Sequence, residues 1–151
     1  MKFTKMHGCG NDYVYVNCFE ETVEDRPALA RLVSDRHFGV GGDGLICICP
    51  SEKADFKMDM YNADGSVGQM CGNGIRCVAK YVYERGMTKK SVIDVETGAG
   101  VKTLWMNTEN GIVESVRVCM GSPEFKAKNV PVLTESEVFI NQPLEVGGMQ
   151  W

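Results

Sequence analysis

The sequence lacks the features that mark membrane, secreted and nucleic-acid-binding proteins. Its 151 residues contain no run of 18 or more apolar residues, and His7 and Gly8 stand where a signal peptide would have its apolar core. Sixteen basic and 20 acidic side chains give a formal net charge of −4, with no run of Lys or Arg. These absences argue against membrane and nucleic-acid partners, and they predict a cytoplasmic protein.

Metal and nucleotide motifs are also scarce. The chain has two histidines, His7 and His37, and none of its seven cysteines has the Cys-x2-Cys spacing, so we expect no metal site. Residues 39–44 are glycine-rich but lack the Lys-Ser/Thr pair of a phosphate loop. Each histidine adjoins a glycine-rich segment and is expected to be a hydrogen-bonded turn residue.

Short strands and two helices account for most of the remaining pattern. Asp25 is the predicted N-cap of a helix that ends near residues 37–39, and a second helix covers residues 75–85, with Gly86 after it. Strands are predicted at residues 3–6, 13–16, 45–49, 56–60, 91–97, 101–106, 112–120 and 139–141. The pattern predicts an α+β domain with a mostly antiparallel, curled, barrel-like sheet wrapped around a central helix.

Cys71 is the residue with the clearest chemical potential. It directly precedes Gly72-Asn73-Gly74 at the start of the second predicted helix. Unpaired N–H groups and the positive end of the helix dipole would bind a carboxylate there and favour a thiolate as base or nucleophile. Most free cysteines are instead small buried hydrophobic residues, and that alternative applies to Cys71 as well.

Four motifs together resemble the diaminopimelate epimerase family. They are residues 4–12 (TKMHGCGND), 36–44 (RHFGVGGDG), 61–66 (YNADGS) and 70–77 (MCGNGIRC), in the family's order. The resemblance implies a cofactor-independent epimerase that interconverts LL- and meso-diaminopimelate for lysine and peptidoglycan synthesis. It also implies two similar domains, each with a sheet around a central helix, and the small-molecule substrate in the cleft between them.

The resemblance assigns roles residue by residue. Cys71 matches the first of two catalytic cysteines, and the matching substrate-binding positions are Asn11, Asn62, Gly72 and Asn73. Gly44 stands where some family members have a substrate-contacting glutamine, so that contact is absent or made by another group. Two acid/base groups fit the chemistry, because inversion removes a proton from one face of a carbon and delivers one to the other face.

The second half of the family pattern is missing from this sequence. The other catalytic cysteine of the family lies in an Ala-Cys-Gly-Thr-Gly-type motif, and nothing after Gly100 matches it. Cys119 is expected to be a buried strand residue. We therefore interpret residues 1–151 as the N-terminal epimerase domain, with a possible linker or strand near residues 121–151 and the C-terminal domain as a missing partner. Alone, the chain is expected to be inactive.

Three alternatives remain open at this point. The chain could be a racemase or isomerase of the same fold that acts on another amino acid, such as proline or glutamate. It could be a non-catalytic module that binds a ligand or partner without turnover. Finally, two copies could form a homodimer in which two Cys71 thiols face each other.

Overall fold

A computed structural model describes residues 1–130 and 132–151, and the chain divides into two compact units, Met1–Met120 and Gly121–Trp151. The elements of the first unit are β1 (Thr4–Gly8), β2 (Asn11–Asn17), α1 (Arg26–Ser34), β3 (Gly44–Cys49), β4 (Phe56–Asn62), β5 (Val67–Gly68), α2 (Gly72–Glu84), β6 (Val92–Thr97), β7 (Gly100–Glu109) and β8 (Ile112–Val118). The second unit has β9 (Glu145–Val146) and β10 (Met149–Gln150). Among the described residues, no helix has the length and apolar character needed to span a membrane.

The strands of the first unit form one curled sheet. Their order is β1-β2-β3-β4-β6-β7-β8, and β5 pairs with β4. Neighbouring strands run antiparallel except in the pairs β2–β3 and β4–β6, which are parallel. Helix α2 packs against β1 at one edge of the sheet and against β8 at the other. The structure thus confirms the predicted α+β fold, with a curled sheet around a central helix.

The sheet separates two hydrophobic cores. Alternate side chains of a strand face opposite sides, so Tyr13 and Tyr15 of β2 pack in the core that holds α2. Val14 and Val16 pack in the core on the α1 side. Every residue of β3 is buried, as its continuous apolar sequence predicts, because helices cover both faces of this strand. Cys71 packs against the larger core, on the α2 side.

Helix α2 is held at both ends. Cys71 is its N-cap residue, and Gly86 follows its C-terminus with φ +70°, the left-handed conformation that glycine adopts without strain. Ile75 and Val78 are fully buried in the larger core. Near the C-terminal end, the Lys80 ammonium donates to the Val113 carbonyl oxygen at 2.9 Å, which ties the helix to β8.

Helix α1 begins as predicted and ends early. The Asp25 carboxylate accepts a hydrogen bond from the Ala28 backbone N–H at 2.9 Å, so it is the N-cap. The helix ends at Ser34, before the predicted end at residues 37–39. The reason is local: the Asp35 carboxylate accepts from the backbone N–H groups two and three residues further on, at 2.7 and 2.8 Å, which builds a turn.

Several hairpin turns contain residues with positive φ, and two of these turns bear directly on the sequence predictions. Asn110 and Gly111 have φ values of +51° and +81° and join β7 to β8, as the Asn-Gly pair predicts. The predicted strand at residues 139–141 is wrong. The paired strands are β9 and β10, joined by Gly147 and Gly148 with φ values of +61° and +79°. The glycine pair forms the turn of that hairpin, whereas residues 139–141 do not form a strand.

Candidate active site

Cys71 lies where the sequence predicts, immediately before the first turn of α2. Its backbone is extended, with φ −134° and ψ 112°, and its Sγ accepts a hydrogen bond from the Gly74 N–H at 3.2 Å. A side chain that caps a helix normally satisfies one of the unpaired N–H groups of the first turn. Here the capping atom is a half-buried sulfur. The arrangement therefore directs the positive end of a helix at a thiol.

Asn11 contacts the same sulfur from the sheet. Its Nδ2 lies 3.5 Å from Cys71 Sγ, although 60 residues separate the two in sequence. The tip of the first hairpin also approaches α2 closely. A Cβ atom on Gly8 would lie 2.9 Å from the Asn73 carbonyl oxygen, so only glycine fits there without a shift of the backbone. Glycine at this position lets Asn11 reach the thiol.

Gly72 and Asn73 form one side of an open cavity. A cavity of about 280 Å³ lies next to the N-terminus of α2; it is lined by Gly72, Asn73, Arg76, Val116, Val118 and Met120. The Asn73 Oδ1 accepts a hydrogen bond from the Arg76 guanidinium. Since its oxygen is engaged by Arg76, the amide can present its NH₂ group to a ligand. The volume is close to the lower end of the range for small-molecule sites.

Asn62 lies at the same end of the sheet as Asn11. In the strand register, Gly44 of β3 is opposite Tyr13 of β2 and Asn62 of β4, so the three strands reach the same end of the sheet. The Asn62 Nδ2 donates to Ser66 Oγ at 2.9 Å, within its own turn. The structure thus brings Cys71, Asn11, Gly72 and Asn73 into one cluster. It places Asn62 at the same end of the sheet, without a contact to Cys71.

Gly44 is packed too tightly to carry a side chain in this backbone arrangement. A Cβ atom there would overlap the Tyr61 carbonyl oxygen and lie 2.9 Å from Cε1 of Tyr13. The family glutamine that the resemblance would place at this position therefore has no space, and the Tyr13 ring fills part of the volume. Any side-chain contact to a ligand at this end of the sheet must therefore come from another residue.

An ion network joins the loops that surround the site. The Asp12 carboxylate accepts from the Arg36 guanidinium at 2.8 and 3.2 Å and forms an ion pair with the Lys5 ammonium at 2.9 Å. Arg36 also pairs with Asp43 at 3.0 Å. Hydrogen bonds from Arg36, followed by those from Lys5, hold the pKa of Asp12 well below its usual range. The network therefore fixes the first hairpin against the glycine-rich loop before β3.

We expect Asp12→Asn to destabilise the chain at pH 7 by about 1 kcal/mol, because it removes a network of ion pairs. The pKa of Asp12 is lower in the folded chain than in the unfolded one. The contribution is therefore present above about pH 4 and is lost as the pH falls further. Urea unfolding at pH 7, 5 and 3 tests this, with the exposed Glu109→Gln as control. An Asp12→Asn deficit that is equally large at pH 3 would contradict it.

The other cysteines and the histidines lie in different surroundings. Cys119 was predicted as a buried strand residue, and this is wrong: it is exposed. Val118, the last residue of β8, packs towards the larger core, so strand alternation turns the next side chain away. Both histidines are exposed, and His7 lies within β1 rather than in a turn. Among the described residues, no group of three or more His, Cys, Asp or Glu side chains could hold a metal ion.

Sequence reasoning missed two polar residues beside the site, Tyr13 and Arg76. Tyr13 is 5% exposed, and its pKa is raised to about 12 by burial and, next, by the nearby Cys71. The Arg76 guanidinium contacts the Cys9 sulfur at 3.6 Å as well as Asn73. A signal for Tyr13 was available, because it follows Asn11 by two residues in a strand and so shares its face.

Several solved structures share the fold of this chain. Methylitaconate-delta-isomerase superposes with a TM-score of 0.61 at 15% identity, over 74% of this chain and 35% of that one. A hydroxyproline epimerase from Agrobacterium vitis gives 0.58 at 16% identity, over 77% of this chain and 40% of that one. A PhzF-family phenazine biosynthesis protein from Bacillus anthracis gives 0.57 at 22% identity, over 78% and 40%. At these identities the likeness shows the fold alone.

Sequence comparison defines the family. The profile described as diaminopimelate epimerase matches residues 3–126. The diaminopimelate epimerase of Acetivibrio thermocellus is 58% identical over 100% of this chain and 54% of its own length. That of Agathobacter rectalis is 54% identical over 100% of this chain and 55% of its own length. The chain belongs to the diaminopimelate epimerase family, and it spans about half the length of these relatives.

Proposed function

We propose that this chain supplies one of the two acid/base thiols of a diaminopimelate epimerase, and that Cys71 is that thiol. The observation that carries the proposal is the pair of donors on Cys71 Sγ, the Gly74 N–H at 3.2 Å and the Asn11 Nδ2 at 3.5 Å. The thiolate is the form of cysteine that can remove a proton, and both donors can hydrogen-bond to it. The reaction class needs such a base next to a site for a carboxylate.

The first turn of α2 would hold the reacting end of the substrate. Gly72 has open space on its exposed side, where the nearest atom to an added Cβ would be Met120 Sδ at 3.7 Å. The substrate carboxylate can therefore approach the N–H groups of Gly72 and Asn73. As the α-proton leaves, negative charge grows on that carboxylate, and the same N–H groups stabilise it. Asn11, Asn62 and Asn73 would orient the rest of the substrate.

The proton balance of this reaction requires a second group. The Cys71 thiolate accepts the α-proton from one face and becomes a thiol, while an acid on the opposite face donates a proton to the same carbon. In the reverse direction the two groups exchange roles. We propose that a C-terminal domain supplies the second acid and that the isolated 151-residue chain does not turn over substrate. The reaction needs no pyridoxal phosphate, and we place it in the cytoplasm, in lysine and peptidoglycan precursor synthesis.

A homodimer is a second way to supply the second thiol. Two copies facing each other would present two Cys71 side chains across one cleft. Analytical ultracentrifugation of the chain at high concentration tests this arrangement. A monomer at every concentration would rule it out.

Sequence identity favours diaminopimelate over other amino acids. The chain is 54–58% identical to two diaminopimelate epimerases, against 15–22% identity to three proteins of solved structure that share its fold. A non-catalytic binding module remains the third candidate for the chain on its own. Binding of substrate without turnover by the isolated chain is compatible with either the enzyme half or this module, so activity must be measured in a complete enzyme.

A chimaera provides that complete enzyme. In it, this chain replaces the matching 54% of the Acetivibrio thermocellus relative. We expect the chimaera to epimerise LL-diaminopimelate at a rate within about tenfold of the relative itself, and to leave L-proline and L-glutamate unchanged, because the motif residues are those of the family. Polarimetry or chiral chromatography measures each product. If the chimaera turned over L-proline or L-glutamate faster than LL-diaminopimelate, that result would contradict the proposed substrate.

A further inference from the structure

Arg76 contacts two of the segments that build the candidate site. It lies three residues after Asn73 on the same face of α2, and the side chains of a helix lean towards its N-terminus. The Arg76 Nη2 donates to the Asn73 Oδ1 and contacts the Cys9 sulfur at 3.6 Å. Cys9 and Gly10 form the two-residue turn between β1 and β2, directly before Asn11. One guanidinium thus joins the first turn of α2 to the hairpin tip that carries Asn11.

The hydrogen bond from Arg76 determines which way the Asn73 amide lies. A guanidinium has N–H donors and no acceptor, so the amide must turn its oxygen towards Arg76. Its NH₂ group then lies on the other side of the amide and is the part that can meet a ligand. A carboxylate only accepts hydrogen bonds, so the amide is oriented for the substrate carboxylate before the substrate arrives.

Helix stability does not account for an arginine at this place. The positive end of the helix dipole disfavours a nearby cation, and the first turn of α2 contains no acidic residue that would offset it. Arg76 is half-buried and lines the 280 Å³ cavity beside Gly72 and Asn73. It also lines a second cavity, of about 310 Å³, beside Cys9. The guanidinium therefore lies at the border of the candidate site, where it can serve the binding of a ligand.

We propose that Arg76 is a positioning residue that holds the side-chain amide of Asn73 with its NH₂ group towards the substrate carboxylate. The inference rests on the proposed function, in which the substrate binds at the first turn of α2. Without the guanidinium, the Asn73 side chain has about two χ1 rotamers open to it in a helix, each with two orientations of the amide. If one of these roughly four states binds substrate, the apparent affinity falls by up to about fourfold. Arg76 acts through Asn73 and takes no part in proton transfer.

The mobility of the Asn73 side chain in the 151-residue chain tests the proposal without any need for turnover. Nitrogen-15 relaxation of its NH₂ group gives an order parameter, and Asn73→Ala identifies the signal. We expect about 0.85 in the wild type, the value of a rigid group, and less than about 0.6 in Arg76→Met. The control is Arg85→Met, which removes an exposed guanidinium just after α2 and should leave the order parameter unchanged. An Asn73 amide that is as rigid in Arg76→Met as in the wild type would overturn the proposal.

A double-mutant cycle in the chimaera tests whether Arg76 acts through Asn73. Arg76→Met should raise KM about threefold to fourfold and leave kcat within about twofold, because the oriented amide binds the ground state and the transition state alike. Asn73→Ala should raise KM about tenfold, since it removes a hydrogen bond to a charged carboxylate. The double variant should match Asn73→Ala, because Arg76 then has no amide to orient. A further threefold rise in the double variant would mean that Arg76 attracts the substrate directly, and the positioning role would be wrong.

The separate effects on KM and kcat distinguish positioning from folding. A loss of folded protein lowers the apparent kcat of a preparation and leaves KM unchanged, so an effect of Arg76→Met on kcat alone would contradict the positioning role. Arg76→Lys is the conservative variant. One nitrogen of Arg76 makes the contact with Asn73, and a lysine ammonium also donates, so Arg76→Lys should keep KM within about twofold of the wild type.

The two proposals fail in different ways. If Arg76→Met matches the wild type in KM and in the order parameter of Asn73 while Cys71→Ala is inactive, the positioning role is wrong and the role of Cys71 stands. If Cys71→Ala retains activity in the chimaera, the proposed function is wrong. The order parameter of Asn73 then still decides whether Arg76 fixes its amide.

Discussion

Cys71→Ala is expected to lower epimerisation by the chimaera at least about 10³-fold, with little effect on folding. A positioned acid/base group contributes about 10²- to 10⁴-fold to a rate, and no neighbouring side chain can replace the Cys71 sulfur at the helix cap. Cys71→Ser should be nearly as inactive, because a hydroxyl at the same place is a far weaker acid. Steady-state kinetics with LL-diaminopimelate measures both variants.

Cys119→Ser is the matched control for this loss. Cys119 is exposed and lies just beyond β8, so its substitution should leave kcat within about twofold of the wild type. Circular dichroism must show that both cysteine variants are folded. Activity in Cys71→Ala above one tenth of the wild-type value would contradict the proposed role of this thiol.

Gly39→Ala is expected to destabilise the chain by about 3 kcal/mol, the largest stability effect we predict for a single methyl group. A Cβ at this position would overlap the Leu32 carbonyl oxygen and lie 2.9 and 3.0 Å from the carbonyl oxygens of Asp35 and Val33. All three atoms belong to the backbone at the end of α1 and the turn after it, so no side chain can move away. The methyl group fits only if the turn opens.

The same turn satisfies the end of the helix. The backbone N–H of Gly39 donates to Asp35, and the two residues after it donate to the Val33 carbonyl oxygen, at 2.9 to 3.0 Å. Opening the turn would therefore expose helix carbonyl groups that are now paired. Urea unfolding measures the loss. Gly72→Ala is the control, because the nearest atom to its added Cβ is 3.7 Å away. Equal stability of the two variants would contradict this account.

Local rules of the sequence predicted most of the fold correctly. Asp25 is an N-cap because its short carboxylate reaches the first turn, and Asn110-Gly111 is a hairpin turn because both residues adopt positive φ. Such features depend only on neighbours in the chain. The predicted strand at residues 139–141 is wrong because its local pattern did not determine a pairing partner. A short apolar segment is compatible with several structures, and a glycine pair nearby decided the pairing.

The sequence predicts those parts of the candidate site that depend on neighbouring residues in the chain. It does not predict contacts between residues that are far apart in the chain. Cys71 before Gly72-Asn73-Gly74 signals a helix start, which the structure confirms. The contact between Asn11 and Cys71 spans 60 residues, and only the curled sheet creates it. The position of Tyr13 also depends on a neighbouring strand, because Gly44 of β3 leaves space for its ring. A single sequence does not contain these distances.

The central claim is that this chain carries one of two thiols that exchange a proton with substrate. Proton NMR of LL-diaminopimelate in deuterium oxide tests it most directly, since each inversion through a solvent-exchanged thiol replaces the α-hydrogen with deuterium. We predict deuterium in the epimerised product of the chimaera, and none with the 151-residue chain alone or with the Cys71→Ala chimaera. Deuterated epimerised product from the Cys71→Ala chimaera, or full turnover by the isolated chain as a monomer, would contradict the claim.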